Sequence, residues 1–432
     1  MKLNHMASRI LAAIGAGAFG QLVSVVIQLA SLPLFLRYWD MSTYGQWLML
    51  SAIPAYVSMA DVGMVTTAGN RMTMDVARGD IAAANRVFQS AALFLALVCA
   101  GITVVGGMGL WIASSTQMNA HAGALACLMV TVLLTLFGGL IETLYRATGR
   151  YALGAMAANL LRLAEWAGAM LGLVYSQSFI GVALGGLLAR LLGTGIYFVC
   201  SLQAHPSLVW GLSAANTQEV KSMYRPAMAF MAFPMANALT FQGMTLLIGF
   251  LAGPTMVSVF NAYRTVSRTA VQLTGIFGHA LWAEFARQFG AGDASGLRRL
   301  YSASLRTGAL LAAGLSLLLH WLGPWLMQIW THGKITVDPI TFGLLLAYAA
   351  VAGLWHVPRV MLMAVNQHMV LAAWSLGVAI SQMLLAYALT PAWGISGAAL
   401  SVLLCETALA GICLVLAWAQ ISPDNMKKVW AS

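Results

Sequence analysis

Twelve apolar runs, each more than 20 residues long, follow one another along the chain with few charges inside them. A helix rises about 1.5 Å per residue, so roughly 20 such residues cross the hydrocarbon core of a bilayer. Backbone groups in lipid have no water to bond to, so a spanning segment is either a helix or a strand of a closed barrel. These runs lack the alternation of barrel strands, which leaves helices. The expected fold is therefore an all-α polytopic membrane protein with about 12 transmembrane helices. The first six runs are 10–36, 45–69, 88–113, 121–143, 152–175 and 179–203; the second six are 226–251, 254–280, 305–330, 339–364, 369–390 and 394–419. The first run is too long for the apolar part of a signal peptide and reads as an uncleaved helix. A polar stretch, 205–224, separates the sets and reads as a cytoplasmic surface linker carrying an interfacial helix. The expected domains are thus 1–204, the linker 205–224, and 225–432.

Charged residues are only 8% of the chain, against roughly 25% in a soluble protein. The formal charge of +10 raises nucleic acid as a partner, but the basic residues are scattered singly between apolar runs and form no basic arm. They set an orientation instead. With the N-terminus inside, fifteen fall on the cytoplasmic side: Lys2, Arg9, Arg71, Arg78, Arg86, Arg146, Arg150, Lys221, Arg225, Arg287, Arg298, Arg299, Arg306, Lys427 and Lys428. Only Arg37 and Lys334 fall outside, so both termini are expected in the cytoplasm and the protein in the inner membrane. The five cysteines all lie in apolar runs without metal-ligand spacing and read as packing residues.

The two halves resemble each other. G-D-I-A-A-A-N-R-V-F from Gly79 and G-D-A-S-G-L-R-R-L-Y from Gly292 share Gly, Asp, Arg and an aromatic at an offset of 213. G-V-A-L-G-G-L-L from Gly181 and G-A-A-L-S-V-L-L from Gly397 match at an offset of 216. Two matches in order imply a parallel 6+6 repeat, two six-helix bundles about a central cavity.

The eighth run carries the most costly residues. Asn261, Arg264, Arg268, Gln272, Gly275 and His279 recur at gaps of three and four, which puts them on one helix face. A guanidinium near the bilayer centre costs at least about 2.5 kcal/mol, so this face must meet protein or water. Two readings stand: arginines buried against carboxylates of neighbouring helices, or a cationic lining for an anionic substrate, whose phosphate oxygens Arg grips bidentately. Uncharged stripes, Gln21–Ser24–Gln28–Ser31 in the first run and Asn237–Thr240–Met244 in the seventh, are helix-packing faces or further lining. Intramembrane acids are few. Arg162 and Glu165, three residues apart, read as an ion pair; Glu142 and Arg359 are candidates to pair between the halves. Asp61 has no evident local partner and reads either as a carrier of a coupling proton or as a partner of an arginine in the eighth run. His279, His320 and His356 occur singly. No catalytic constellation, phosphate-binding loop or metal cluster is visible, so an enzyme is not expected.

Three motifs add a resemblance: R-Y-W-D-M-S-T-Y-G-Q-W from Arg37, A-D-V-G-M from Ala60 and G-I-S-G-A-A-L from Gly394. They resemble the polysaccharide transporter family, within the superfamily that includes multidrug extrusion proteins. That resemblance implies a flippase moving undecaprenyl-diphosphate-linked oligosaccharide, an O-antigen or exopolysaccharide repeat unit, to the outer leaflet by alternating access. It implies a cationic cavity, carried onto Arg264 and Arg268 by their place in the eighth span, with Asn261, Gln272, Gln28 and Asn237 as further substrate contacts. Asp61, Glu142 and Arg359 are the coupling or gating candidates. No cofactor is expected, and a proton or sodium gradient is the candidate driving force. Membrane lipids, a polysaccharide polymerase and assembly proteins are the candidate partners. The alternatives are a cation-coupled multidrug exporter of the same superfamily and, behind it, a membrane polysaccharide polymerase or ligase, which would need a large outside loop.

Overall fold

The computed structural model describes residues 2–61, 63–114, 119–290, 293–364 and 369–421. Lys427 and Lys428 lie outside the described residues, as do the side chains of Lys2, Arg9, Arg225 and His279. Among the described residues every regular element is helical, as the long apolar runs require. The helices are α1 (Lys2–Tyr38), α2 (Met41–Val57), α3 (Met64–Ala77), α4 (Ile81–Ser114), α5 (Asn119–Ala147), α6 (Tyr151–Ser176), α7 (Phe179–Ala204), α8 (Thr217–Ala238), α9 (Met244–Ala252), α10 (Pro254–Ala280), α11 (Trp282–Gly290), α12 (Ala294–Trp330), α13 (Pro339–Ala364) and α14 (Met369–Gln420). One π-helical turn, Leu239–Gly243, joins α8 to α9. Among the described residues, eight helical stretches are apolar enough to span by composition alone, and α14 holds two spans bent at Gly394, whose φ is 57°. The other three expected spans are less apolar for visible reasons. α6 and α10 carry charges, and the second run is interrupted.

That interruption corrects the expectation of one continuous helix over 45–69. The chain leaves the helix after Val57, with turns at 58–61 and Gly63 left-handed at φ 72°, and restarts as α3. Asp61 sits in the turn and accepts from the Gly63 backbone N–H at 3.4 Å, a partner that sequence periodicity could not reveal.

The chain packs as two compact units, Met1–Trp39 with Leu50–Met231, and Asp40–Met49 with Ala232–Ser432. In the first, α7 packs on α5 and α6, α6 on α1, and α3 on α4 and α5. In the second, α13 packs on α10, α12 and α14, and α14 also on α9. The division falls within α8 and not at a free linker. Residues 205–216 are fastened to the first unit: Trp210 meets the rings of Phe88, Phe137 and Phe198, and Leu208 is buried in the core around Met64 and Leu140. Asn85 and Gln89 donate to the carbonyls of Ser207 and Val209. Within the expected linker, α8 begins at Thr217 and continues without a break into the seventh apolar run.

Aspartates open several helices by accepting backbone N–H groups that helix geometry leaves unpaired. Asp40 accepts from Thr43, Asp80 from Ala83, Asp293 from Gly296 and Asp338 from Thr341. Bonds to Thr43, Gly296 and the Thr341 hydroxyl hold Asp40, Asp293 and Asp338 below the ordinary carboxylate range. Asp80 and Asp293 are the matched residues of the two G-D motifs. They do the same work at the start of α4 and α12.

The α6–α7 pair shows how close two helices come when glycine lines the contact. Gly168 and Gly172 of α6 face Gly185 and Gly181 of α7, and a Cβ on Gly172 would collide with the Gly181 carbonyl oxygen. Small residues four apart allow this approach, and in lipid such packing is a main source of helix association. Gly172→Val is expected to destabilise by about 3 kcal/mol, the upper range for overpacking, because backbone cannot swing aside. Thermal unfolding in detergent checks this. Gly195→Ala, at a site with open space around it, should leave the transition unmoved.

Candidate functional site

In the second unit, α10 lies against α13 and α9, and its polar face meets the π-helical turn. The extra residue of a π turn disturbs the regular ladder of carbonyls, and such turns are frequent at functional sites. Here the Phe241 carbonyl accepts from Arg264 Nη1 at 3.0 Å and from the Thr245 hydroxyl at 2.9 Å. Arg264 Nη2 donates to Thr245 Oγ1 at 3.2 Å and to Asn261 Oδ1 at 2.9 Å. Asn261 is in turn hydrogen-bonded with buried Tyr44, from the segment of α2 that belongs to this unit. The Arg264 guanidinium also lies 5.3 Å from the Phe241 ring centroid and 5.7 Å from that of Phe260.

Arg268 is held differently. Its guanidinium stacks on the Phe241 ring at 4.2 Å, and among the described residues it makes neither a hydrogen bond nor an ion pair. The Tyr348 hydroxyl of α13 is within electrostatic reach of both arginines. No carboxylate pairs with either guanidinium among the described residues, which removes the expectation of arginines buried against acids. Two positive charges one helical turn apart, about 6 Å, repel by roughly 3 kcal/mol at an effective dielectric near 20. Cation–π stacking returns about 1 kcal/mol at each ring. An anion at Arg268 would reverse the sign of that electrostatic cost. The geometry thus divides the labour: Arg264 secures the π turn, and Arg268 presents an unfilled fork.

Two of the other expected substrate contacts lie in this unit. Gln272 lies one turn beyond Arg268 on α10 and is half-buried, and Asn237 is exposed on α8. Gln28, Asp61 and Glu142 belong to the first unit. There the α1 stripe is a packing face: Ser24 accepts from Arg162 at 3.0 Å and Ser31 from Trp166 at 2.9 Å, both on α6. Arg162 therefore does not pair with Glu165 as its spacing suggested. Glu165 instead pairs with Arg190 of α7 at 3.0 Å, because Arg190 is the more buried cation and has no water to solvate it. Glu142 pairs with Arg146 one turn away at 3.7 Å. Arg359 stacks between Phe233, at 5.5 Å, and Trp355, at 5.4 Å. Each of these two thus has its partners within its own unit, and the expected Glu142–Arg359 pairing gives way to local contacts.

Sequence reasoning missed Phe241, Thr245, Tyr44 and Tyr348. Two of them had a signal: Phe241, an aromatic two residues before Gly243 on the run that precedes the arginine helix, and Tyr44, which lies in the motif from Arg37. It also passed over the Trp355–Glu406 bond, in which the indole N–H donates to the carboxylate at 2.7 Å.

No family model and no curated protein matches the sequence. The fold does have matches among solved structures. An inward-facing conformation of a multidrug resistance MATE family transporter of the MOP superfamily aligns with TM-score 0.66 and 13% identity, over 95% of each chain. An outward-facing conformation of a MATE family transporter of that superfamily aligns with TM-score 0.67 and 12% identity, over 97% of this chain and 96% of that one. A MATE structure in the bent conformation gives 0.66 and 14%, over 98% and 97%. This chain has the MATE-type fold of a multi-pass membrane protein. At 12–14% identity the likeness is one of architecture.

Proposed function

We propose that the protein is an alternating-access exporter of amphiphilic molecules with an anionic head group. The observation that carries this reading is Arg268, a guanidinium stacked on Phe241 inside a membrane helix with its hydrogen-bonding fork unfilled. The fold supports the exporter class, since the similar structures include inward- and outward-facing MATE transporters. Between the two substrate readings, the fold likeness favours efflux of small amphiphiles over the lipid-linked oligosaccharide expected from the sequence motifs. The second reading keeps one specific support: the open fork of Arg268 suits the oxygens of a phosphate group, which a diphosphate supplies. A proton or sodium gradient is proposed as the driving force, and the inner membrane as the location.

The test is accumulation of amphiphiles in cells stripped of their own exporters. Expression of this chain should lower accumulation of an anionic amphiphile several-fold and leave a cationic one of similar size unchanged. In parallel, a strain lacking its polysaccharide flippase should regain surface polysaccharide only if the second reading holds. Efflux of the cationic compound, unaffected by Arg268→Ala, would overturn the assignment of charge.

A further inference from the structure

The second unit has a groove where the N-terminal part of α12 meets the C-terminal end of α14. Arg298 Nε donates to the Ile421 carbonyl at 2.8 Å and fastens the two helices there. Tyr301, one turn on, is buried in the core beside Cys413. Beyond it a cavity of about 670 Å³ opens, lined by Ser302, Leu305, Arg306, Leu414, Val415 and Trp418. That volume is within the ordinary range for a ligand pocket. Its walls are apolar and outward-facing: Val415 is 69% exposed and Trp418 65%. Its one charge is Arg306, which is exposed and forms no ion pair among the described residues. Arg299 and Ser302 precede Arg306 at gaps of seven and four, on the same face of α12.

We propose that this groove binds an anionic phospholipid of the surrounding bilayer, with its phosphate at Arg306 and an acyl chain along Leu305, Leu414, Val415 and Trp418. Three features favour a lipid over a protein segment. Both walls belong to helices that the apolar runs place in the membrane, so the groove's neighbours are acyl chains. The charge stands at the basic end of those helices, where lipid head groups lie. The indole of Trp418 has the amphipathic character that suits that same depth. The proposal does not depend on the transport reading.

Native mass spectrometry of the full chain, offered equal phosphatidylglycerol and phosphatidylcholine, reads it directly. The wild type should retain the anionic lipid in preference. Arg306→Gln should cut that preference about five-fold, the effect of one basic residue at a membrane surface, and Arg306→Lys should keep it. Equal retention of the two lipids by the wild type, or an undiminished preference in Arg306→Gln, would overturn the site. Should Arg306→Gln give too little folded protein, a photoreactive group on Ser302→Cys decides the matter. Cross-linking to lipid supports the proposal, and cross-linking to a peptide of this chain or of a second copy refutes it.

Discussion

Arg268→Ala is expected to lower transport of an anionic substrate about 100-fold while leaving the thermal transition almost unmoved. The two effects separate because the side chain gives little to the fold. Its removal forfeits one cation–π contact, about 1 kcal/mol, and relieves a repulsion with Arg264 of the same order or larger. Losing the partner of a desolvated anion costs about 3 kcal/mol, which is that 100-fold factor. Arg264→Ala should behave in the opposite way. It removes three hydrogen bonds, to Phe241, Thr245 and Asn261, so a stability loss of about 2–3 kcal/mol is expected. The loss is held to that size because the Phe241 carbonyl keeps the Thr245 hydroxyl and Asn261 keeps Tyr44. Unfolding in detergent and transport in vesicles, measured on both variants, check the division. Normal transport by Arg268→Ala at normal protein levels would end the assignment.

A second large effect is expected in the first unit. Arg190→Ala leaves Glu165 without its cation between α6 and α7 and should destabilise by about 3 kcal/mol or more. Glu165 retains some exposure, which keeps the cost from the top of that range. Replacing both, Glu165→Leu with Arg190→Met, should recover most of the loss, because neither charge is then left alone. Arg162→Ala should cost under about 1 kcal/mol, since an exposed arginine loses one bond to the Ser24 hydroxyl. Thermal unfolding of the three variants ranks them. Equal losses for Arg162→Ala and Arg190→Ala would restore the i, i+3 pairing that the spacing suggested.

These cases mark how much could be read in advance. Helix type and most span limits follow from apolar length alone: 254–280 and 339–364 coincide with α10 and α13. The polar face of α10 was legible as well, because gaps of three and four fix a face whatever lies opposite. What lies opposite was not legible. Spacing proposed Glu165 for Arg162, yet the observed partner is 25 residues from Glu165 on the next helix. The break after Val57 was missed because an apolar run hides a turn; Pro54 and Gly63 were its marks.

Membrane residence, helical structure and two arginines on one helix face are thus readable from the residues alone. These follow from properties local in the chain: length, hydropathy and period. Packing places the arginines against an aromatic ring and a π turn in place of carboxylates, and among the described residues it engages one of them in hydrogen bonds and not the other. Both are identical in chemistry and one turn apart. Their difference comes from Phe241, Thr245 and Tyr44, which chain distance conceals and packing brings together.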